Sequence, residues 1–179
     1  MSRHVPTINT ARTTLRAMRP SDFDRFADIW AMPDVTCFVG GVRSRNESWN
    51  SFLRNSGHWQ ITGFGQWAVE EHSARRVVGQ AGFFFGGREL GDDFDSVPEA
   101  GWLLTPDVHG KGLGREVTEA AHDWFDRVIT GPLVCRVGTD NAASLRLAAR
   151  LGYVPLRKAA SEGGKDFLLM TRKSPPQGT

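Results

Sequence analysis

The sequence predicts a mixed α/β domain, and three observations carry that prediction. Between Glu99 and Val128 an apolar run ends at Pro106 and passes through a loop with glycines at 110, 112 and 114. It then enters a segment whose apolar residues recur at helical spacing: Leu113, Val117, Ala120, Ala121, Trp124 and Val128. Before this strand–loop–helix unit lie two capped amphipathic segments and a hairpin pattern. After it come a short buried run, a third capped segment and two closing strands. Strands and helices alternate over 179 residues, enough for one domain (1–179) with an ordered core from about residue 10 to about 172.

Taken in order, Met1–Asn9 reads as a loose end, and Arg12–Met18 alternates well enough for a first strand. Pro20-Ser21 opens a helix, with Ser21 as N-cap and Asp24 three residues on; Phe23, Phe26, Ala27 and Trp30 form its apolar stripe and Pro33 ends it. Thr36–Val42 is a loop. Ser44 and Glu47 make a second capping box, S-x-x-E, for a helix whose buried side is expected at Trp49, Phe52 and Leu53 and which Gly63 closes.

Gln66–Glu71 and Arg76–Phe85 read as a hairpin, with Phe83, Phe84 and Phe85 suggesting burial on both faces. Gly86–Ser96 is then a long loop carrying Glu89, Asp92, Asp93 and Asp95, either a solvated turn or an acidic lure for a cationic amine. After the glycine loop and its helix, Gly131-Pro132 breaks the chain. Leu133–Val137 is a buried strand holding Cys135 as core filler, since nothing nearby would lower its pKa. Asp140 or Asn141 caps the last helix and Gly152 stops it. Tyr153–Arg157 and Asp166–Arg172 close the fold around Glu162-Gly-Gly164, and Ser174–Thr179 is expected to fray.

The totals exclude several classes. A net charge of +2 with no basic run gives no reason to expect a nucleic-acid partner. No apolar stretch reaches signal-peptide or membrane length, so no membrane partner is expected. Two cysteines without metal spacing argue against a disulfide scaffold and a metal site, and fit a reducing cytoplasm.

The loop is built to hold an anion. A helix start presents unpaired N–H groups and partial positive charge, glycines allow close approach, and Lys111 and Arg115 add charge. It is neither a P-loop nor the G-x-G-x-x-G dinucleotide fingerprint: from Gly110 the sixth position is Arg115, from Gly112 it is Val117.

His109-Gly110-Lys111-Gly112-Leu113-Gly114 resembles motif A of the GNAT superfamily of acetyl-CoA-dependent N-acetyltransferases, Gln/Arg-x-x-Gly-x-Gly/Ala, with His109 in place of Gln or Arg. Asn141-Ala-Ala-Ser144 followed by Gly152-Tyr153 resembles that superfamily's second signature. The early Arg12-Thr-Thr-Leu-Arg16 strand and the Gly101-Trp-Leu-Leu104 strand are similar to the branch that includes the ribosomal-protein N-terminal acetyltransferases.

The resemblance implies a mixed, mostly antiparallel sheet of six to seven strands, splayed between strands 4 and 5 and flanked by about four helices. It implies acetyl-CoA as acyl donor, with a cofactor site made by Trp102, Leu103, Leu104, His109, Gly110, Lys111, Gly112, Leu113, Gly114, Arg115, Asn141 and Ser144. Asn141 would bond the pantetheine arm as well as cap its helix. Ser144 would sit near the sulfur and supply a proton. Leu133–Val137 would face Trp102–Leu104 across the split.

The implied reaction is transfer of an acetyl group to a primary amine, protein N-terminal or small, by direct attack in a ternary complex. Glu99, Gly101 and Leu103 share a strand face, which makes Glu99 the candidate base, directly or through water. The first two helices would line the acceptor cleft, so that Trp49, His58 and Trp59 face either substrate or core. Many relatives take the leaving-group proton from a tyrosine seven residues after the Asn, a position filled here by Ala148. Its loss leaves open a non-catalytic acyl-CoA sensor, beside a transferase using another acyl-CoA. A homodimer is common in the resembling branch.

Overall fold

The computed structural model describes residues 4–160 and 164–174. One eight-stranded sheet runs through it, in the order β1-β2-β3-β4-β5-β6-β8-β7. The strands are β1 (Ile8–Asn9), β2 (Thr13–Arg16), β3 (Gln66–Glu71), β4 (Arg76–Phe84), β5 (Glu99–Leu104), β6 (Leu133–Gly138), β7 (Val154–Ala160) and β8 (Asp166–Arg172). Every neighbouring pair is antiparallel except β5 and β6.

That exception positions the site. β5 and β6 meet in parallel register only at Glu99 and Val134, beside the bond from Val134 N–H to Pro98 O at 3.0 Å. Beyond that point the strands part, which is the splay expected between strands 4 and 5. They are the fifth and sixth here because the sheet has one strand more than the six to seven expected. The addition is β1, read from sequence as part of a loose end; it pairs Ile8 with Leu15 and Asn9 with Thr14 of β2.

Among the described residues six helices flank the sheet, against the about four expected: α1 (Phe23–Trp30), α2 (Pro33–Thr36), α3 (Arg45–Thr62), α4 (Asp92–Asp95), α5 (Leu113–Val128) and α6 (Ala142–Arg150). The extra two are single turns, too short for a periodic signal: α2 starts at the Pro33 expected to end the first helix, and α4 lies inside the loop expected over Gly86–Ser96. The Ser44–Glu47 capping box forms as predicted: Ser44 Oγ accepts from Glu47 N–H, and Glu47 Oε2 accepts from Ser44 N–H at 2.8 Å. Ser21 does not cap α1. A 3₁₀ turn over Pro20–Asp22 precedes it, and Asp22 Oδ2 accepts from Arg19 N–H at 2.7 Å. Asp22 is also buried against Arg16, 2.7 Å away, which in turn reaches Glu70 of β3. Burial works to raise the Asp22 carboxyl, but the Arg16 and Arg19 bonds outweigh it and hold it below the usual carboxylate range.

The core lies on both sheet faces. On one, Leu113, Val117, Ala121 and Trp124 of the predicted α5 stripe pack into a cluster with Trp59 and Trp67, the three tryptophan rings meeting at 4.7–5.6 Å, while Ala120 lies outside the cluster and Val128 is exposed. On the other, Phe26, Ile29 and Trp30 of α1 join Phe52, Ala68, Val77 and Leu103. The expected buried side of α3 is corrected: Phe52 is buried, but Trp49 and Leu53 are exposed, and Ser48, Asn55 and Trp59 face inward instead. Of the three phenylalanines at the end of β4, only Phe83 is fully buried; Phe85 is exposed and outside the strand. Glu162, Gly163 and residues 175–179, named above for the last turn and the tail, lie outside the described residues.

Candidate active site

A continuous cleft of about 560 Å³ runs from the glycine loop, through the gap between β5 and β6, to a wall made by α1, α2, α3 and their loops. Its three parts are built differently.

The glycine loop is held at both sides. Pro106 starts a 3₁₀ turn over Pro106–Val108 whose Val108 is buried, and Leu113 is buried at the start of α5. Between these anchors Gly110 and Gly112 take φ of 73° and 76°, a left-handed conformation that favours glycine. Nothing lies within 4 Å of where a Cβ would sit on Gly110. The first intrahelical bond is Glu116 N–H to Gly112 O at 3.1 Å, so the N–H groups of Leu113, Gly114 and Arg115 precede the helical ladder and face outward for an anion.

The cations behave less simply than their positions suggest. Arg115 lines the cleft but pairs with Glu119 at 2.7 Å. Lys111 turns its ammonium back onto Asp107 O at 2.8 Å and is not among the lining residues. His109 folds its ring onto β5, donating from Nε2 to Leu104 O at 2.8 Å, which leaves Nδ1 for the cleft side. A residue not singled out from sequence, Arg12, clamps the loop. Its Nη1 donates to Lys111 O at 2.8 Å while its backbone N–H and Nε grip Glu116 at 2.8 and 2.7 Å. About a hundred residues separate the partners, so only the β2–α5 contact could have shown it.

Between the parted strands, Trp102, Leu103 and Leu104 line one side, and Val137, Gly138, Asn141 and Ser144 the other. Asn141 caps α6, its Oδ1 accepting from Ser144 N–H at 3.1 Å. The Trp102 indole donates to Ser144 Oγ at 3.2 Å, tying β5 to α6 across the gap. The Ser144 hydroxyl proton has no acceptor among the described residues. Ala148 is fully buried. The chain's only tyrosine, Tyr153, is buried behind the sheet, where its hydroxyl donates to His122 Nε2 at 2.9 Å and His122 Nδ1 donates to Thr118 O at 2.7 Å. Burial lowers His122 to about 4 and raises Tyr153 well above its ordinary value, so this pair stays neutral near pH 7 and does not reach the cleft.

Glu99 stands where β5 and β6 still touch. It is 4% exposed and faces the cleft, but it is not the solvated strand-end carboxylate: Arg88 grips it twice, Nε to Oε2 at 2.7 Å and Nη2 to Oε1 at 3.1 Å. The floor beside it is polar. Trp30 Nε1 donates to Gln80 Oε1 at 3.3 Å, and Gln80 Nε2 donates to Gln66 Oε1, next to Gly101. Gln66 and Gln80 read from sequence as ordinary strand positions.

At the wall beneath α1–α3, of the residues expected to face either substrate or core, none lines the cleft. Trp59 is core, and neither Trp49 nor His58 lines the cleft. Arg43, Ser51, Arg54 and Asn55 do, with Arg88 and Arg136 opposite. Arg43 lies over the Trp30 ring at 3.6 Å and donates to Ser51 Oγ at 2.8 Å. Burial, aided by the opposing charges of Arg54 and Arg88, lowers its guanidinium to about 10, still charged at pH 7. Arg136 lies over Phe167 at 4.1 Å. The acidic segment is no lure: Asp95 accepts from the N–H groups of Arg88, Leu90 and Gly91, Asp93 pairs with Arg157 at 2.9 Å, and none of its carboxylates lines the cleft. Burial pushes the Cys135 thiol far up, in keeping with core filler.

Among the described residues no cluster of metal-binding side chains forms, and no helix is long and apolar enough to cross a membrane. The family model for the acetyltransferase (GNAT) domain matches residues 12–154. Among solved structures, an acetyltransferase from Agrobacterium tumefaciens is 27% identical, with 96% of each chain covered and a TM-score of 0.80. The ribosomal-protein-S5-alanine acetyltransferase from Vibrio fischeri is 16% identical, covering 98% of this chain and 100% of its own, at a TM-score of 0.78. The spermidine N-acetyltransferase from Vibrio cholerae, in complex with CoA and spermine, is 17% identical, covering 90% and 95%, at 0.70. These last two likenesses concern the fold.

Proposed function

We propose, from the premise that this chain belongs to the GNAT acetyltransferase family, that it transfers the acetyl group of acetyl-CoA to a primary amine by direct attack in a ternary complex. One observation carries the reading: the open N–H groups at the start of α5 lead without a break into the gap between β5 and β6. That shape fits a diphosphate followed by a long thin arm.

Acetyl-CoA would supply a thioester whose C–S bond breaks as a C–N bond forms. The chain's residues do the rest. The diphosphate is expected on the N–H groups of residues 109–114, less that of His109, which donates to Pro106 O at 3.0 Å, and Asn141 meets an amide of the arm. Backbone N–H groups of Trp102–Leu104 polarise the acetyl carbonyl. The attacking amine must be neutral. At pH 7 that costs about 4 kcal/mol for a lysine-type amine of pKa ~10.4 but only about 1 for an α-amine of ~7.8. Glu99, paired with Arg88 beside the gap, takes that proton directly or through water. With Tyr153 out of reach, the thiolate takes its proton from the Ser144 hydroxyl or from water.

The same tyrosine-free gap supports a second reading, a sensor that binds acyl-CoA without turning it over. Calorimetry with acetyl-CoA and a thiol-release assay over an amine panel decide between them. We expect coenzyme binding and amine-dependent release. Binding without release by any amine favours the sensor, and no heat of binding overturns both.

A further inference from the structure

The acceptor end of the cleft is a cationic chamber. The whole lining carries five arginines against two carboxylates, Asp34 and Glu99. Four of the five, Arg43, Arg54, Arg88 and Arg136, belong to the acceptor end. Glu99 is already shared with Arg88. Among the described residues, Arg43, Arg54 and Arg136 form no ion pair with a carboxylate, although Glu47 attracts Arg43 and Glu99 attracts Arg136 from farther off. Arg43 and Arg136 are instead partly buried over aromatic rings, which fixes their guanidinium planes without neutralising them. Burial first, and then the charges of Arg54 and Arg88, work against the charged form of Arg43; burial and Arg88 do the same to Arg136. Gathering like charges at the wall of a cleft costs free energy unless an anion completes the set.

The chamber is also roofed. The loop after α2 crosses to the far wall, where Phe38 lies against Gly138 and Lys165 Nζ donates to Cys37 O.

We propose that the acceptor is a small amine bearing its own carboxylate, an amino-acid-like molecule whose anionic group is held by Arg43 and Arg54, with Arg88 and Arg136 completing the field, while its amine lies toward Glu99. The inference rests on the acetyl-transfer reading above and specifies its substrate class. Planar guanidinium forks match a carboxylate's two oxygens, and a partly desolvated pairing is worth more than an exposed one. A polyamine brings the wrong sign into this field, and a polypeptide N-terminus has to pass under the roof.

The test compares matched acceptors on the full chain: glutamate with its diamide, glycine with glycinamide, and spermidine. We expect kcat/KM at least tenfold higher for the acids, with the advantage shrinking as salt is added. Arg43→Gln and Arg54→Gln should raise KM for the acid at least tenfold while kcat changes less than threefold, and Arg43→Lys should recover part of the loss. Amides or spermidine used as well as the acids would overturn the proposal and leave acetyl transfer standing. Should acetyl-CoA fail to bind, the transfer reading fails and titration with glutarate alone decides the chamber. Binding weakened tenfold by Arg43→Gln sustains it; no binding, or binding indifferent to that change, overturns it.

Discussion

The two ends of one cleft are made on opposite plans. At the end we propose for the coenzyme, the lining from Gly110 to Arg115 is mostly glycine and backbone, and the charged side chains of Lys111 and Arg115 are engaged elsewhere. At the other end, which we propose takes the acceptor, the side chains of Arg43, Arg54, Arg88 and Arg136 line the cleft from three separate stretches of chain. A backbone site depends on conformation, so it resists most substitutions and fails at a few glycines. A side-chain site depends on topology and can be rewritten one residue at a time with the fold intact.

The sharpest way to break this contrast is Gly112→Asp. It places a negative charge at the helix start, where φ is 76°. We expect coenzyme affinity to fall at least a hundredfold, about 2.7 kcal/mol, with glutarate binding unchanged; calorimetry of both ligands checks it, and equal losses would mean the ends are not separable. Glu99→Gln sits at the junction. Turnover should fall about thirtyfold or more and the pH–rate limb of the base should shift upward, while the freed Arg88 tightens a carboxylate-bearing acceptor. An unaltered profile would remove Glu99 as proton acceptor.

Arg12→Ala tests whether the backbone site needs its clamp, with coenzyme affinity expected to drop about fivefold. The clamp has a defined pH range. Burial works to raise the Glu116 carboxyl, but bonds from Thr10 and Arg12 hold it below the usual range. A depressed carboxyl contributes above its unfolded value of ~4.3 and loses that contribution as pH falls through its lower folded value. Coenzyme affinity should therefore stay flat from about pH 8 to about pH 5 as far as this clamp is concerned. The smallest effect separates the two roles of Asn141. Asn141→Asp keeps the cap oxygen and should leave the thermal midpoint within a degree or two, whereas Asn141→Ala costs about 1 kcal/mol of stability; both should weaken coenzyme binding.

The same division explains what could be read in advance. The glycine loop, the capping box at Ser44 and the start of α5 at Leu113 are local patterns, and each stands where the residues put it. β1 was missed because two residues carry no periodicity; it exists because β2 offers an edge. Trp49 and Leu53 looked like a buried stripe, but the tertiary packing of α3 turned Ser48, Asn55 and Trp59 inward. Glu99 was legible as a cleft residue from its alternation. Its arginine was not, because Arg88 sits eleven positions away in a loop with no periodicity to place its side chain. No pattern in one chain announces that Arg88 and Arg136 will converge on Arg43 and Arg54.

The single parallel pair in the sheet has a consequence of its own. Beyond Glu99 and Val134, the inner edges of β5 and β6 have peptide groups with no strand across from them, in the middle of a structure where such groups are normally locked. Their amide hydrogens should trade for deuterium as quickly as those of a frayed terminus, and slow once the gap is filled. Isotope uptake along these two strands would thus serve as a gauge of occupancy requiring no chromophore and no turnover.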